Sequence, residues 1–259
     1  MSERLPFPIC QILIADIPVG AEVTTPLMET NAASFRAAYP DSPYHLYLKE
    51  ELADFIAQHF PAVVARAFHA LKPQAFKADL ARYCLLHQLG GLYSDLSYLH
   101  LRGIEPPAGT QMVVFRDIPG HPSWAVSNAL IYAKPGDAVL EHAIDRIVRH
   151  HKQGFTGVHP LEITGPYLFG RVLAECADWR EIVFGESRLL SVEPSGRANI
   201  VKVLPASGEV VAIRNKARDG QISDLIATGG NDYIRLWEEG QVWDKGKPRW
   251  PALMGKRQR

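Results

Sequence analysis

F-K-A-D-L-A-R-Y-C-L-L-H-Q-L-G-G-L-Y-S-D-L-S-Y-L-H-L, residues 76–101, runs a helix into a glycine pair and out into a short apolar strand that ends in an acid. Phe76, Leu80, Tyr83 and His87 recur at spacings of four, three and four, which is one face of a helix over Gln74–Leu89. Gly90 stops that helix. The strand after Gly90-Gly91 delivers Asp95 to its end, where open α/β sheets hold their ligands. Asp79 and Arg82, three residues apart, share a face beside the apolar one and can reach a common ligand. The plainer alternative is a surface ion pair on an amphipathic helix.

Working outward, Ile9–Ile14 reads as a first buried strand, Thr25–Ala38 as a helix with Pro26 at its start, and Y-H-L-Y-L at 44–48 as a second strand. Helices follow from Glu50 and over Pro61–Leu71. Further strands are expected at Gln111–Asp117 and Val126–Ala133, and helices over Asp137–His151 and after Gly165-Pro166. Residues 181–214 alternate short apolar runs with Pro and Gly, as strands and loops do. Strand and helix alternate through the first half, which is the order of an α/β nucleotide-binding fold.

K-A-D-L-A-R-Y followed by G-G-L-Y-S-D-L-S resembles the central block of family 32 glycosyltransferases, the enzymes with a sugar-binding region containing a DXD motif. That family includes initiating mannosyltransferases and capsular-polysaccharide transferases, and the glucosylating domains of large bacterial toxins carry a similar block. Its pattern is S-D-x-x-R-Y, a variable helix, then G-G-x-Y-x-D-x-D. Asp79, Arg82, Tyr83, Gly90, Gly91, Tyr93 and Asp95 match in order and spacing, and Ser97 stands where the second Asp of the motif belongs. Weaker matches are I-C-Q-I-L-I-A at 9–15, where the family has I-H-Q-I-W-I-G, the Asn128 region, T-G-P at 164–166 and N-D-Y-I-R-L-W at 231–237. Leu13 takes the place of a tryptophan that would stack on the donor base, and reads as core.

The resemblance implies a glycosyltransferase A fold, an α/β/α sandwich around a central mixed sheet, as one domain over residues 1–259. It implies a retaining transferase that moves a hexose from a UDP- or GDP-linked donor to a glycan, glycolipid or cell-surface polysaccharide precursor. Asp79, Arg82, Tyr93, Asp95, Asn128, Gly165 and Asn231 would contact the donor. Asp95, Ser97 and Asp232 would hold Mn²⁺ or Mg²⁺, weakly or dispensably because Ser97 is neutral, with Asp232 standing in for the missing acid. No catalytic nucleophile is named. The alternative is a non-catalytic sugar-nucleotide-binding or regulatory subunit that has lost metal-dependent turnover.

Composition bounds the function. The chain has 259 residues, 47% of them apolar, enough to fill one large α/β core. Lys plus Arg and Asp plus Glu both number 28, so nucleic-acid binding by bulk charge is not expected. Basic residues concentrate only at Lys245–Arg249 and Lys256–Arg259, a tail with scope for peripheral contact with anionic lipid. Cys10, Cys84 and Cys176 fit buried thiols, and with no signal-like or membrane-spanning apolar run the expected location is cytoplasmic, peripheral to the inner membrane face. No phosphate loop, no Gly-x-Ser-x-Gly elbow and no histidine pair at metal spacing appears.

Overall fold

The computed structural model describes residues 6–15, 24–190, 199–204, 206–215 and 233–244. Strands β1 (Ile9–Leu13), β2 (Tyr44–Leu48) and β3 (Gly91–Ser94) pair in parallel at one edge of the sheet. Strands β4 (Tyr98–His100), β5 (Met112–Arg116), β6 (Val126–Ala133), β7 (Ile182–Leu190), β8 (Asn199–Leu204) and β9 (Glu209–Arg214) complete it in the order β2-β1-β3-β6-β5-β7-β8-β9-β4. Three residues separate β3 from β4 in the chain, yet the two lie six places apart in that order, so the sheet curls until its far edge returns beside β3.

Both faces of the sheet are covered, which is why the strands read as apolar runs. On β5, Met112 and Val114 join one core, while Val113 and Phe115 join the other. The first core lies under helices α2 (Lys49–His59), α3 (Ala62–Ala70), α4 (Gln74–Leu89), α5 (Ala138–Gln153) and α6 (Pro166–Cys176). The second is closed by α1 (Pro26–Ala38) together with the curled β4 and β9 edge. Short α7 (Tyr233–Glu238) leans on α4, with Tyr233 against Phe76, and the Trp237 indole donates to the Thr156 carbonyl.

Caps follow the sequence. The Thr25 hydroxyl accepts from the Met28 amide, and the Asp137 carboxylate accepts from the Val139 and Leu140 amides. Helix α4 differs from the amphipathic expectation: from Phe76 to Leu86 all but Ala78 are buried, Asp79 and Arg82 included, because α2, α3, α5 and the sheet surround it. A solvent-exposed ion pair is thereby ruled out. Lys77, also buried, donates to the carbonyls of Phe68 and His69 at the end of α3. Cys10 and Cys84 are buried free thiols, as expected, whereas Cys176 is half-buried. Among the described residues no helix is long and apolar enough to cross a membrane.

The two glycines at the α4–β3 junction are required for different reasons. Gly90 ends the helix at φ 66°. Gly91, at φ 95°, lies where a Cβ would meet the Pro8 carbonyl oxygen at 2.0 Å, the same oxygen that accepts from the Leu92 amide. Gly91→Ala is expected to cost about 2–4 kcal/mol in urea unfolding, since a left-handed backbone and an overpacked contact add.

His100 supplies a pH test of the second core. Its ring lies against Phe35 and pairs with the Ser94 hydroxyl at 2.8 Å, and among the described residues Nδ1 has no partner. Burial lowers its pKa from 6.5 to about 3. Below pH 6.5 the unfolded chain therefore takes up a proton that the folded state refuses, and stability falls as pH drops toward 3. His100→Gln should flatten that decline by about 1.4 kcal/mol per pH unit, measured by urea unfolding between pH 6 and 4.

Candidate functional site

The site is built around one buried guanidinium. Arg82, 5% exposed, points from α4 toward the C-terminal ends of β1 and β3. Its Nε donates to the Ala78 carbonyl, Nη1 to the Asn128 carbonyl at 2.6 Å, and the fork pairs with Asp79 and with Asp95, each at 3.1 Å. The Tyr93 ring lies 4.5 Å beneath the guanidinium, and its hydroxyl donates to Asp95 Oδ1 at 2.6 Å. Burial opposes the charge on Arg82, but the Tyr93, Asp95 and Asp79 oxygens outweigh it and hold the group above its ordinary pKa. The i, i+3 spacing in α4 and the i, i+2 spacing of Tyr93 and Asp95 are what bring these groups to one point.

Asp79 is held from three sides. Asn128 Nδ2 donates to Oδ1 at 2.9 Å, and the Thr164 hydroxyl to Oδ2 at 2.7 Å, opposite the Arg82 contact. Burial pushes the Asp79 carboxyl up, against the pull of Arg82, Thr164 and Asn128. Tyr83 closes the circle: its hydroxyl accepts from Asn128 Nδ2 and donates to the Thr164 carbonyl, each at 2.9 Å. Gly165 heads α6 with φ −93°, so its backbone does not demand glycine. A Cβ there would lie 3.5 Å from Asp79 Oδ2, in ordinary contact with the carboxylate.

Asp95 is the outward-facing member. Its side chain is 32% exposed, and Oδ2 has no partner among the described residues. It opens the turn Asp95-Leu96-Ser97 between β3 and β4, in which the Tyr98 amide donates to the Asp95 carbonyl. Asn31, 1% exposed on α1, clamps the turn by donating to the carbonyls of Leu96 and Asn215 while accepting from the Asn215 side chain. The Asn215 amide donates to the Ser97 carbonyl at 2.7 Å. Leu13 is buried against Ala32 and Leu96 behind the turn, as a core residue.

The structure thus brings together Asp79, Arg82, Tyr93, Asp95, Ser97, Asn128 and Gly165. Asn231 and Asp232 lie outside the described residues. Four contributors carried no role in the sequence reading: Tyr83, Thr164, Asn31 and Lys202. The first two stand inside matched motifs, and their polar groups are the signal. Asn31 shows only as an Asn amid small residues of a helix, and Lys202 has no local signal at all. Lys202, 1% exposed on β8, donates to the Ser127 and Ser187 hydroxyls at 2.7 Å each, beneath the Asn128 strand. Burial lowers its pKa to about 8, and the nearby Asp117 and Asp95 carboxylates resist the drop.

Removing Arg82 leaves two carboxylates beside each other with no counter-charge. Arg82→Met should therefore cost about 3–5 kcal/mol at neutral pH. Because the Asp79 carboxyl already sits above its ordinary value, it rises further in the variant. A group raised in the folded state stabilises below its unfolded pKa, so the deficit should shrink as pH falls from 8 to 5, read by urea unfolding.

Residues 27–113, which contain Asp79, Arg82, Tyr93 and Asp95, match the family model described as glycosyltransferase sugar-binding region containing DXD motif. No curated protein matches the chain. Among solved structures the PaToxG glycosyltransferase is similar, with a TM-score of 0.52 and 16% sequence identity over 66% of this chain and 69% of that one. That likeness is one of fold. The chain is thus similar over residues 27–113 to the sugar-binding region of DXD-containing glycosyltransferases, and its fold is of the glycosyltransferase A type.

Proposed function

We propose that the protein is a retaining hexosyltransferase that uses a UDP- or GDP-linked sugar and acts on a glycan, glycolipid or cell-surface polysaccharide precursor. The observation that carries this reading is the Asp79–Arg82–Asp95 network, which presents preorganised carboxylates at the ends of the parallel strands. Sugar hydroxyls are donors, and fixed carboxylates suit them as acceptors without reorganisation. Asp95 Oδ2 is the oxygen best placed to receive them. Arg82 works from behind: its fork already serves Asp79, Asp95 and the Asn128 carbonyl, so it holds the acids in place of gripping the donor phosphate. Tyr93, Asn128 and Gly165 act as supports of this donor wall, and Asn231 is proposed to join it.

The turn residues also have oxygen groups of the kind that would suit a divalent cation. Asp95 offers an unpartnered oxygen and Ser97 a hydroxyl, and a hard ion accepts both along with water. Asp232 is proposed as the further ligand. Bound Mn²⁺ or Mg²⁺ supplies Lewis-acid relief of charge on the departing diphosphate. Contact of the basic 245–259 segment with anionic lipid at a cytoplasmic membrane face is part of the same proposal and rests on its charge.

Thermal unfolding with UDP, GDP, UDP-glucose and GDP-mannose, each with and without Mn²⁺, tests the donor site. One nucleotide series at about 100 times its Kd should raise the melting temperature by roughly 5–10 °C. Asp95→Asn should abolish the shift while leaving the unliganded melting temperature within a few degrees. A shift independent of Mn²⁺, without turnover, would favour a sugar-nucleotide-binding subunit. No shift with any nucleotide would remove the donor-site assignment.

A further inference from the structure

Trp124 and Tyr167 pack against each other and into none of the three apolar cores. Trp124, 37% exposed, stands in the β5–β6 loop, and Tyr167 in the first turn of α6. Their ring centroids are 5.2 Å apart, edge to face. The main chain of the loop lies directly on α6: a Cβ at Gly170 would meet the Trp124 carbonyl oxygen at 2.0 Å. Arg171 holds the indole from a second direction. Its guanidinium lies 4.9 Å from the ring centre and is itself tied to Glu162 at 2.7 Å. An indole fixed in this way but left facing water is arranged for a ligand more than for the core.

Both rings are joined to the donor wall by chain and by hydrogen bonds. Asp79 is gripped by the Asn128 side chain at 2.9 Å and by the Thr164 hydroxyl at 2.7 Å. Trp124 precedes Asn128 by four residues and Tyr167 follows Thr164 by three. Those steps hold each ring's backbone within about 14 Å and about 11 Å of its anchor. The Asp95 amide donates to the Ala129 carbonyl, and β6 runs antiparallel to β3 with Ser94 opposite Leu130. The chain before Asn128 therefore leads past Asp95 at the same end of the sheet. The two segments that hold Asp79 carry, as they leave it, the two rings that meet each other.

Polar groups edge these rings. Among the described residues the Tyr167 hydroxyl has no partner. His159 stacks on Tyr167 at 4.6 Å, and its Nδ1 accepts from the Leu161 amide. The proton of the neutral ring is then on Nε2, a donor without a partner among the described residues. A pyranose has the matching division: a face of C–H groups that suits the negative face of an aromatic ring, and a rim of hydroxyls that donate and accept. We infer that Trp124 and Tyr167 form the acceptor subsite, stacking a hexose ring on the indole with its hydroxyls at Tyr167 and His159. The inference rests on the transferase reading above and names a sugar ring as the part of the acceptor that is recognised. The acceptor thereby enters between the β5–β6 loop and the start of α6.

Saturation-transfer NMR on the full chain tests this, with methyl glucoside, methyl mannoside and methyl galactoside in the presence of Mn²⁺ and UDP or GDP. At least one glycoside should receive saturation, strongest on the C–H protons of one ring face. Trp124→Ala should weaken its binding by about 5–10-fold, and Trp124→Phe should retain most of it. Tyr167→Phe, which removes only the hydroxyl, should weaken it by about 3-fold. Each variant should keep its unliganded melting temperature within a few degrees and its nucleotide-induced shift. If wild type binds none of the glycosides, or Trp124→Ala binds within about 2-fold of wild type, the subsite is overturned while the donor site stands. If Trp124→Ala instead abolishes the nucleotide shift, the indole stacks on the donor base and the acceptor assignment falls. Glycoside binding that needs Trp124 in a protein no nucleotide stabilises would leave a sugar site and overturn its role as an acceptor site.

Discussion

Asp95-Leu96-Ser97 is the shortest connection with the largest consequence in the chain. It joins β3 to a strand that pairs at the far edge of the sheet, six places away. At about 4.8 Å per strand a flat sheet would put that edge roughly 29 Å distant. Four residue steps span at most about 14 Å. The sheet must curl, and the turn that forces the curl is the one that carries Asp95. Asn31 and Asn215 pin it from both sides, so the curled edge and the first helix meet where the site opens. Fold closure and placement of the outward acid are one constraint.

Inside that turn, Arg82 makes an otherwise unfavourable arrangement tenable. Two carboxylates close enough to share one guanidinium repel each other, and burial disfavours all three charges. The network persists because nearly every donor and lone pair finds a partner: Asn128 and Thr164 on Asp79, Tyr93 on Asp95, two main-chain carbonyls on Arg82. Such a network contributes little net stability and much position. The motif spacing follows from this geometry. Asp79, Arg82 and Tyr83 occupy adjoining positions on one helix, Gly90-Gly91 let the next strand press against Pro8, and Tyr93 and Asp95 fall near the guanidinium.

What could be read in the sequence was what depends on local order. Helix ends at Thr25, Asp137 and Gly90, and strands 44–48 and 126–133, carry their own signals and stand where expected. The burial of Asp79 and Arg82 was not legible, because helix periodicity reports one face and α4 is enclosed on all sides. The far-edge pairing of β4 is a long-range fact that three residues cannot announce. Lys202 reaches Ser127 across 75 positions of sequence, and no pattern near either residue points to the other.

Ser97 can now be weighed against the charges around it. Arg82 is shared by Asp79 and Asp95, so one guanidinium already serves two acids at the site. A second carboxylate at position 97 would deepen the deficit of positive charge where a diphosphate is proposed to sit. That deficit would have to be met by a tightly bound cation. A serine there keeps an oxygen ligand without adding a charge, so the demand for the cation is weaker and the donor meets less repulsion on entry. Arg82 cannot make up the difference by reaching out, since its fork is tied to the fold. The degenerate motif is therefore better understood as one part of a rebalanced cleft than as the loss of a ligand from an unchanged one.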